Sequence, residues 1–189
     1  MKCNRFYSLF FASIFLVGMV SCTQNKNRIS NATKLAISEV NQCLDQAQSD
    51  SLSPKQKLEI IQQSQILAKK ATIDSLILKT YNKEAELYNY AFPDSALTVL
   101  KDFEKLAIAK KDTLYIAHSY LNLGEYYFYL KQNNTALTYF NKSNVEFKNS
   151  KDSSNVVYSL LMMSSILKEK SDYYDMEEIG RASCRERVS

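Results

Sequence analysis

Tyr120-Leu121-Asn122-Leu123-Gly124-Glu125-Tyr126-Tyr127 is the stretch on which the fold turns. Its large apolar side chains recur three and four residues apart, which places them on one face of a helix. Gly124 interrupts that face, and it is the only glycine between residues 22 and 178. A residue without a Cβ lets an adjacent helix come close, with Tyr120, Tyr127 and Phe140 filling the space around it. Downstream, Ala136, Phe140, Ser143 and Phe147 form a second stripe at helical spacing, after the turn-forming Gln132-Asn133-Asn134. Two antiparallel helices are the predicted unit.

The unit recurs. Ser95-Ala96-Leu97-Thr98-Val99-Leu100 matches Thr135-Ala136-Leu137-Thr138-Tyr139-Phe140, and Ala96, Leu100, Phe103 and Ala107 repeat the second stripe. Asp74-Ser75-Leu76, Asp112-Thr113-Leu114 and Asp152-Ser153-Ser154 read as helix starts, because Asp, Ser and Thr side chains accept from the free N–H groups of a first turn. Phe92-Pro93-Asp94 marks the turn of the first unit, and Ser171-Asp172-Tyr173 is expected to mark that of a third. Upstream, Ser53-Pro54 reads as a cap with proline in the first turn, followed by the stripe Lys57, Ile61, Ser64, Ala68. Ala36, Val40, Cys43 and Ala47 form one more stripe. The predicted repeat region therefore spans about residues 31–178, with a capping hairpin at about 31–70 and units at about 74–110, 112–149 and 152–178, the last cut short.

Composition agrees with helices. Of 189 residues 46% are hydrophobic and 23% charged, which excludes a disordered chain, while three Gly and two Pro are too few for a fold of many tight β-turns. The formal charge of +4 comes from the ends: without Lys2, Arg5, Arg181, Arg185, Glu186 and Arg187, residues 22–178 carry 19 basic against 19 acidic side chains. Such a balance gives no electrostatic reason to expect nucleic acid as a partner.

Tyr120, Leu123, Gly124 and Tyr127, followed by Ala136 and Phe140, resemble the two helices of the tetratricopeptide repeat family. Tyr81, Ala85, Tyr88, Ala96 and Leu100 carry a weaker copy, and Leu160, Met163, Ser164, Leu167 and Tyr173 another. The steps near 40 residues exceed the family's common 34, and Ser143 stands where Ala is usual. The resemblance implies an all-α, right-handed superhelical array of antiparallel helix pairs, an α-solenoid. It also implies a concave groove that binds a protein or peptide. By analogy with the family's inner face, the groove is lined by Lys79, Asn82, Glu86, Asn89 and Tyr90, by His118, Leu121, Glu125, Phe128 and Tyr129, and by Tyr158, Leu161 and Ser165. Packing against neighbouring repeats is the competing role for each aromatic, since the four of Tyr126-Tyr127-Phe128-Tyr129 point all around their helix. Glu86 and Glu125 occupy places where carboxylate-clamping members carry amide or basic groups, which argues against capture of a peptide C-terminus.

Both ends of the chain read as lying outside the fold. Lys2 and Arg5, the apolar run Phe6 to Val20 and the small Ser21-Cys22 form a secretory signal over residues 1–21. Met19-Val20-Ser21-Cys22 resembles a bacterial lipoprotein processing site with Cys22 as the lipidated residue; a plain cleaved signal or an uncleaved anchor is the alternative. Residues 22–30 read as a polar tether, and its lack of an acidic run favours a membrane-anchored, periplasm-facing position. Ile179 to Ser189 is expected to break the helical pattern and resembles a translated sequencing-library adapter, an assembly artefact; a genuine basic tail is the alternative. On the artefact reading the natural chain continues past Glu178.

Chemistry finds little to work with. His118 is the only histidine, so neither a two-histidine metal motif nor a nucleophile-histidine-acid set is supported. A single glycine writes no phosphate-cradling loop. Cys43, the one cysteine outside the two ends, sits on an apolar stripe and is expected to be a small buried hydrophobe. Asp172, Asp175, Glu177 and Glu178 fit no calcium-loop spacing. The expectation is a non-catalytic interaction scaffold of the cell envelope, without cofactor or metal. The rival readings are the periplasmic sensor half of a membrane signalling protein, either a histidine kinase or a helix-turn-helix regulator, and a glycan-capturing lipoprotein.

Overall fold

A computed structural model describes residues 31–186, with side chains described through residue 169 and at Ser171. The signal segment, Cys22 and the tether lie outside the described residues. Among the described residues every regular element is a helix, with no strand. Helix α1 covers residues 31–46. It is followed by α2 (Pro54–Ala71), α3 (Asp74–Ala91), α4 (Pro93–Lys110), α5 (Thr113–Tyr129), α6 (Asn133–Asn149) and α7 (Ser153–Glu186). From α2 on, each helix packs on the next, and α3 also touches α5. The result is a repeat-like array.

The linkers explain the register. Lys111, Lys131 and Lys151 stand 20 residues apart, and all adopt left-handed backbone, with φ of 55°, 58° and 62°. In each linker the next amide reaches back five residues to a carbonyl: Asp112 to Ala107 at 3.4 Å, Gln132 to Tyr127 at 2.9 Å, Asp152 to Phe147 at 3.0 Å. The lysine amides close the inner bond, to Ile108, Phe128 and Lys148. These are three Schellman closures with lysine where glycine is usual. Asp112 and Asp152 then turn their carboxylates to the amides of Tyr115 and Asn155, both at 3.2 Å, so the residue that ends one helix caps the next. Linkers this short force antiparallel neighbours. Between α3 and α4 only Phe92 intervenes, held out of helical backbone by Pro93 (φ −138°, ψ 55°). Ser53 and Gln56 form a reciprocal capping box at the start of α2, with Pro54 in the first turn as expected.

The core is a series of three clusters. The first, Val40, Leu44, Ala47, Ile61, Ala68 and Leu76, joins α1, α2 and α3. The second, Leu78, Ala85, Ala96, Leu100, Phe103, Ala107 and Leu123, joins α3, α4 and α5. The third, Ala117, Leu121, Ala136, Phe140, Phe147 and Ile166, joins α5, α6 and α7. Helices α3 and α5 each serve two clusters, which is the logic of a chain of units that cannot shield themselves alone. Both second-helix stripes read from the sequence are wholly buried. A Cβ on Gly124 would lie 2.6 Å from Cδ1 and 2.7 Å from Cε1 of Phe140, so the close approach is real. Tyr127 stacks on Tyr139 (5.4 Å between centroids, 9° between planes), and Lys101 donates to the Tyr139 hydroxyl at 2.7 Å. Tyr120 lies against Tyr139, with the Lys142 ammonium over both rings; Tyr81 and Tyr88 pack on the second cluster.

Four expectations are corrected. Asp74 is the first helical residue of α3, whose N-cap is Ile73; its carboxylate pairs instead with Lys110 at 2.7 Å, at the far end of the hairpin. Cys43 is only half-buried, because Leu44 takes the inward position on α1. No turn forms at Ser171-Asp172-Tyr173, since nothing in α7 before Gly180 breaks a helix. The helix likewise runs through Ile179 to Glu186, where the pattern was expected to stop. One consequence is that Leu160, Ser164 and Leu167, the α7 counterparts of the residues that pack α5 on α6, are exposed.

Candidate partner-binding groove

Helices α3 and α5 pack side by side, and polar side chains tie α1 to α3 and α7 to α5. Lys79 on α3 donates to Asn41 Oδ1 on α1 at 2.7 Å. Asn122 on α5 donates to Asn82 Oδ1 on α3 at 2.9 Å, and Asn89 on α3 donates to the Asn122 carbonyl at 2.8 Å. Tyr158 on α7 donates to Glu125 Oε1 on α5 at 2.7 Å. Glu86 accepts from Asn82 at 2.6 Å and from Lys83 at 2.7 Å on its own helix. These bonds link α1, α3, α5 and α7 in turn.

Not every residue placed in the groove by sequence lies open on it. Leu121, 7% exposed, is part of the third core cluster, with Ala136, Phe140 and Phe147 of α6 and Ile166 of α7. Asn82 and Asn89 are buried in the α3/α5 seam: Asn82 accepts from Asn122 and donates to Glu86 on its own helix, and Asn89 donates to the Asn122 carbonyl. His118 is half-buried, edge-on to Phe147 at 5.0 Å and tilted against Tyr115. Phe128 packs partly on the third cluster, with Lys131 over its ring. Open to solvent are Tyr129, Tyr158, Leu161 and Ser165, with Tyr90 standing out at the end of α3. Lys79, Glu86 and Glu125 are intermediate.

Asn122, the hub of the seam, was missed by the sequence reading, as were Asn41 and Lys83. Its signal was there: an asparagine inside an apolar stripe, 40 residues after Asn82, must find a partner once buried.

Electrostatics sharpen the picture at one spot. Burial pushes the Glu125 carboxyl above the usual range, as does the nearby Glu86, and the Tyr158 bond offsets only part of this. The Tyr158 phenol is driven well above its ordinary value by burial and by its bond to Glu125. Burial lowers His118, against the pull of Glu86 and Asp152. Burial also raises Tyr115, to about 12, with Asp112 and Glu86 adding to it. Among the described residues no group of three His, Cys, Asp or Glu is placed to hold a metal ion, and no helix is long and apolar enough to cross a membrane.

No family model, curated protein or solved structure matches the chain.

Proposed function

We propose that this chain is a tetratricopeptide-type scaffold of the cell envelope that binds a protein or peptide along the face of its odd-numbered helices and carries out no chemistry itself. The observation that carries this reading is the run of side-chain hydrogen bonds that joins α3 to α5 and α5 to α7, with Tyr129, Tyr158 and Leu161 of α5 and α7 exposed and Glu125 half-buried. Faces of that mixed character suit extended or helical partners, which supply both apolar anchors and hydrogen bonds. The proposal includes a lipid on Cys22 that holds the array at the membrane, facing the periplasm.

A photo-crosslinking amino acid at position 129, and separately at Ile108 on α4, tests the face in cells. A discrete partner adduct is expected from position 129 and none from 108; equal labelling, or silence at 129, removes the reading. Cys22→Ala is expected to abolish palmitate labelling, and unchanged labelling would refute the anchor.

A further inference from the structure

From Ser153 to Leu167 helix α7 carries no charged side chain, although much of its surface meets water. One side belongs to the fold. Ile166 is part of the third core cluster, Val156, Met162 and Met163 pack on it, and Ser159 accepts from Asn144 of α6 at 2.9 Å. A second stripe is left over: Val157 is 56%, Leu160 48% and Leu167 55% exposed. With the exposed Ser164 they alternate at spacings of three and four, the pattern of a helix seam.

The helix one unit earlier shows what such a stripe does. The matching positions on α5 are Ala117, Tyr120, Gly124 and Tyr127, and there the next helix covers them. Ala117 clusters with Ala136 and Phe140, Tyr120 and Tyr127 lie against Tyr139, and a Cβ on Gly124 would lie 2.6 Å from the Phe140 ring. Among the described residues no helix takes that place on α7.

We infer that this stripe is an interface between two copies of the chain, with α7 of one lying antiparallel on α7 of the other about a two-fold axis. The stripe complements itself. With the axis level with residue 162, Leu160 of each copy meets the small Ser164 of the other, and Val157 meets Leu167, so the helices can approach closely along the seam. The missing charge selects a like partner: neither copy brings a charge that the other must leave unpaired, and a foreign helix finds none here to recognise. A stripe one helix wide is a small interface, which points to an association weaker than that of an obligate dimer.

Site-specific crosslinking of the full chain in detergent micelles tests the pairing, because it reads this face whatever the N-terminal segment does. With benzoylphenylalanine at position 161, beside the stripe, ultraviolet light is expected to give an adduct of twice the chain's mass, joined to α7 of the second copy. The same probe at Leu97 on α4, which is 37% exposed, is expected to give none. In dilute samples, where yield follows affinity, Val157→Lys and Leu167→Glu are each expected to lower the adduct at least about tenfold, since pairing would bury two unpaired charges. Both side chains are exposed in the single chain, so each variant is expected to keep the parent's helical circular dichroism. Mixed together, the two variants set the new ammonium of one copy against the new carboxylate of the other, and most of the yield is expected to return. Absence of a double-mass adduct from position 161, an equal one from position 97, undiminished yield in the charged variants, or no recovery on mixing overturns the pairing.

Discussion

Gly124 and Ser143 show how much one atom decides in a packed helix pair. Replacing Gly124 by Ala favours the helix by about 1 kcal/mol, yet the new methyl would meet the ring of Phe140, which is fully buried and has no room to retreat. Overpacking costs about 1–3 kcal/mol, so net destabilisation of up to about 2 kcal/mol is expected in urea titrations, relieved in a Gly124→Ala, Phe140→Leu double variant. Ser143 offers the opposite case. Its hydroxyl is buried with no hydrogen-bond partner, whereas Ser64, Ser119 and Ser159 each bond the carbonyl three residues back. Ser143→Ala is expected to stabilise the chain by about 1 kcal/mol, seen as a higher urea midpoint with unchanged slope. Loss of stability would mean the hydroxyl has a role that its surroundings hide.

At the level of the helix, the linkers hold the main reserve of strain. Lys111 and Lys151 sit in left-handed backbone, which costs a side-chain-bearing residue about 1–2 kcal/mol, partly offset by the greater freedom glycine loses on folding. Lys111→Gly and Lys151→Gly are each expected to stabilise by about 0.5–1 kcal/mol. Lys131→Gly should gain less, since it gives up the contacts of Lys131 with Phe128 and Glu169. Paired thermal melts of the three variants would show the ordering; three equal shifts would deny it. The helices themselves were legible in sequence because their apolar stripes and caps are local features, as at Asp112 and Ser53. Asp74 and the Ser171-Asp172-Tyr173 cluster misled for the same reason: both look like punctuation, but a distant lysine claims one, and no helix breaker accompanies the other.

For the whole molecule, the pH dependence of stability follows from two groups with opposite signs. His118 is held below its ordinary value, so under pH 6.5 the unfolded chain binds more protons than the folded one. Its stabilisation is complete above about pH 6.5 and is lost as pH falls toward the folded value. His118→Phe, which keeps an aromatic ring against Phe147, is expected to flatten the decline between pH 7 and about 5.5 in denaturation series. Glu125 is raised, so the cost of its buried charge is present at neutral pH and vanishes once the carboxyl is protonated. Glu125→Gln is therefore expected to raise the melting temperature at pH 7 and leave it unchanged near pH 4. A carboxylate kept at a cost to stability fits a residue retained for binding.

By itself the sequence determined helices α2 to α6, the pairing of α3 with α4 and of α5 with α6, and the stripes that bury, since periodicity, caps and short linkers act between residues a turn or a hairpin apart. Tertiary structure alone decided which polar and aromatic residues stay open. Lys79, Asn82 and Asn89 were placed together by a shared helical face, but Asn41 and Asn122, on other helices, take up their hydrogen bonds. Leu121 turned to the core, and Glu125 was left with a tyrosine where a cation could stand. Exposure and satisfaction depend on what the neighbouring helix brings, and no single helix carries that information.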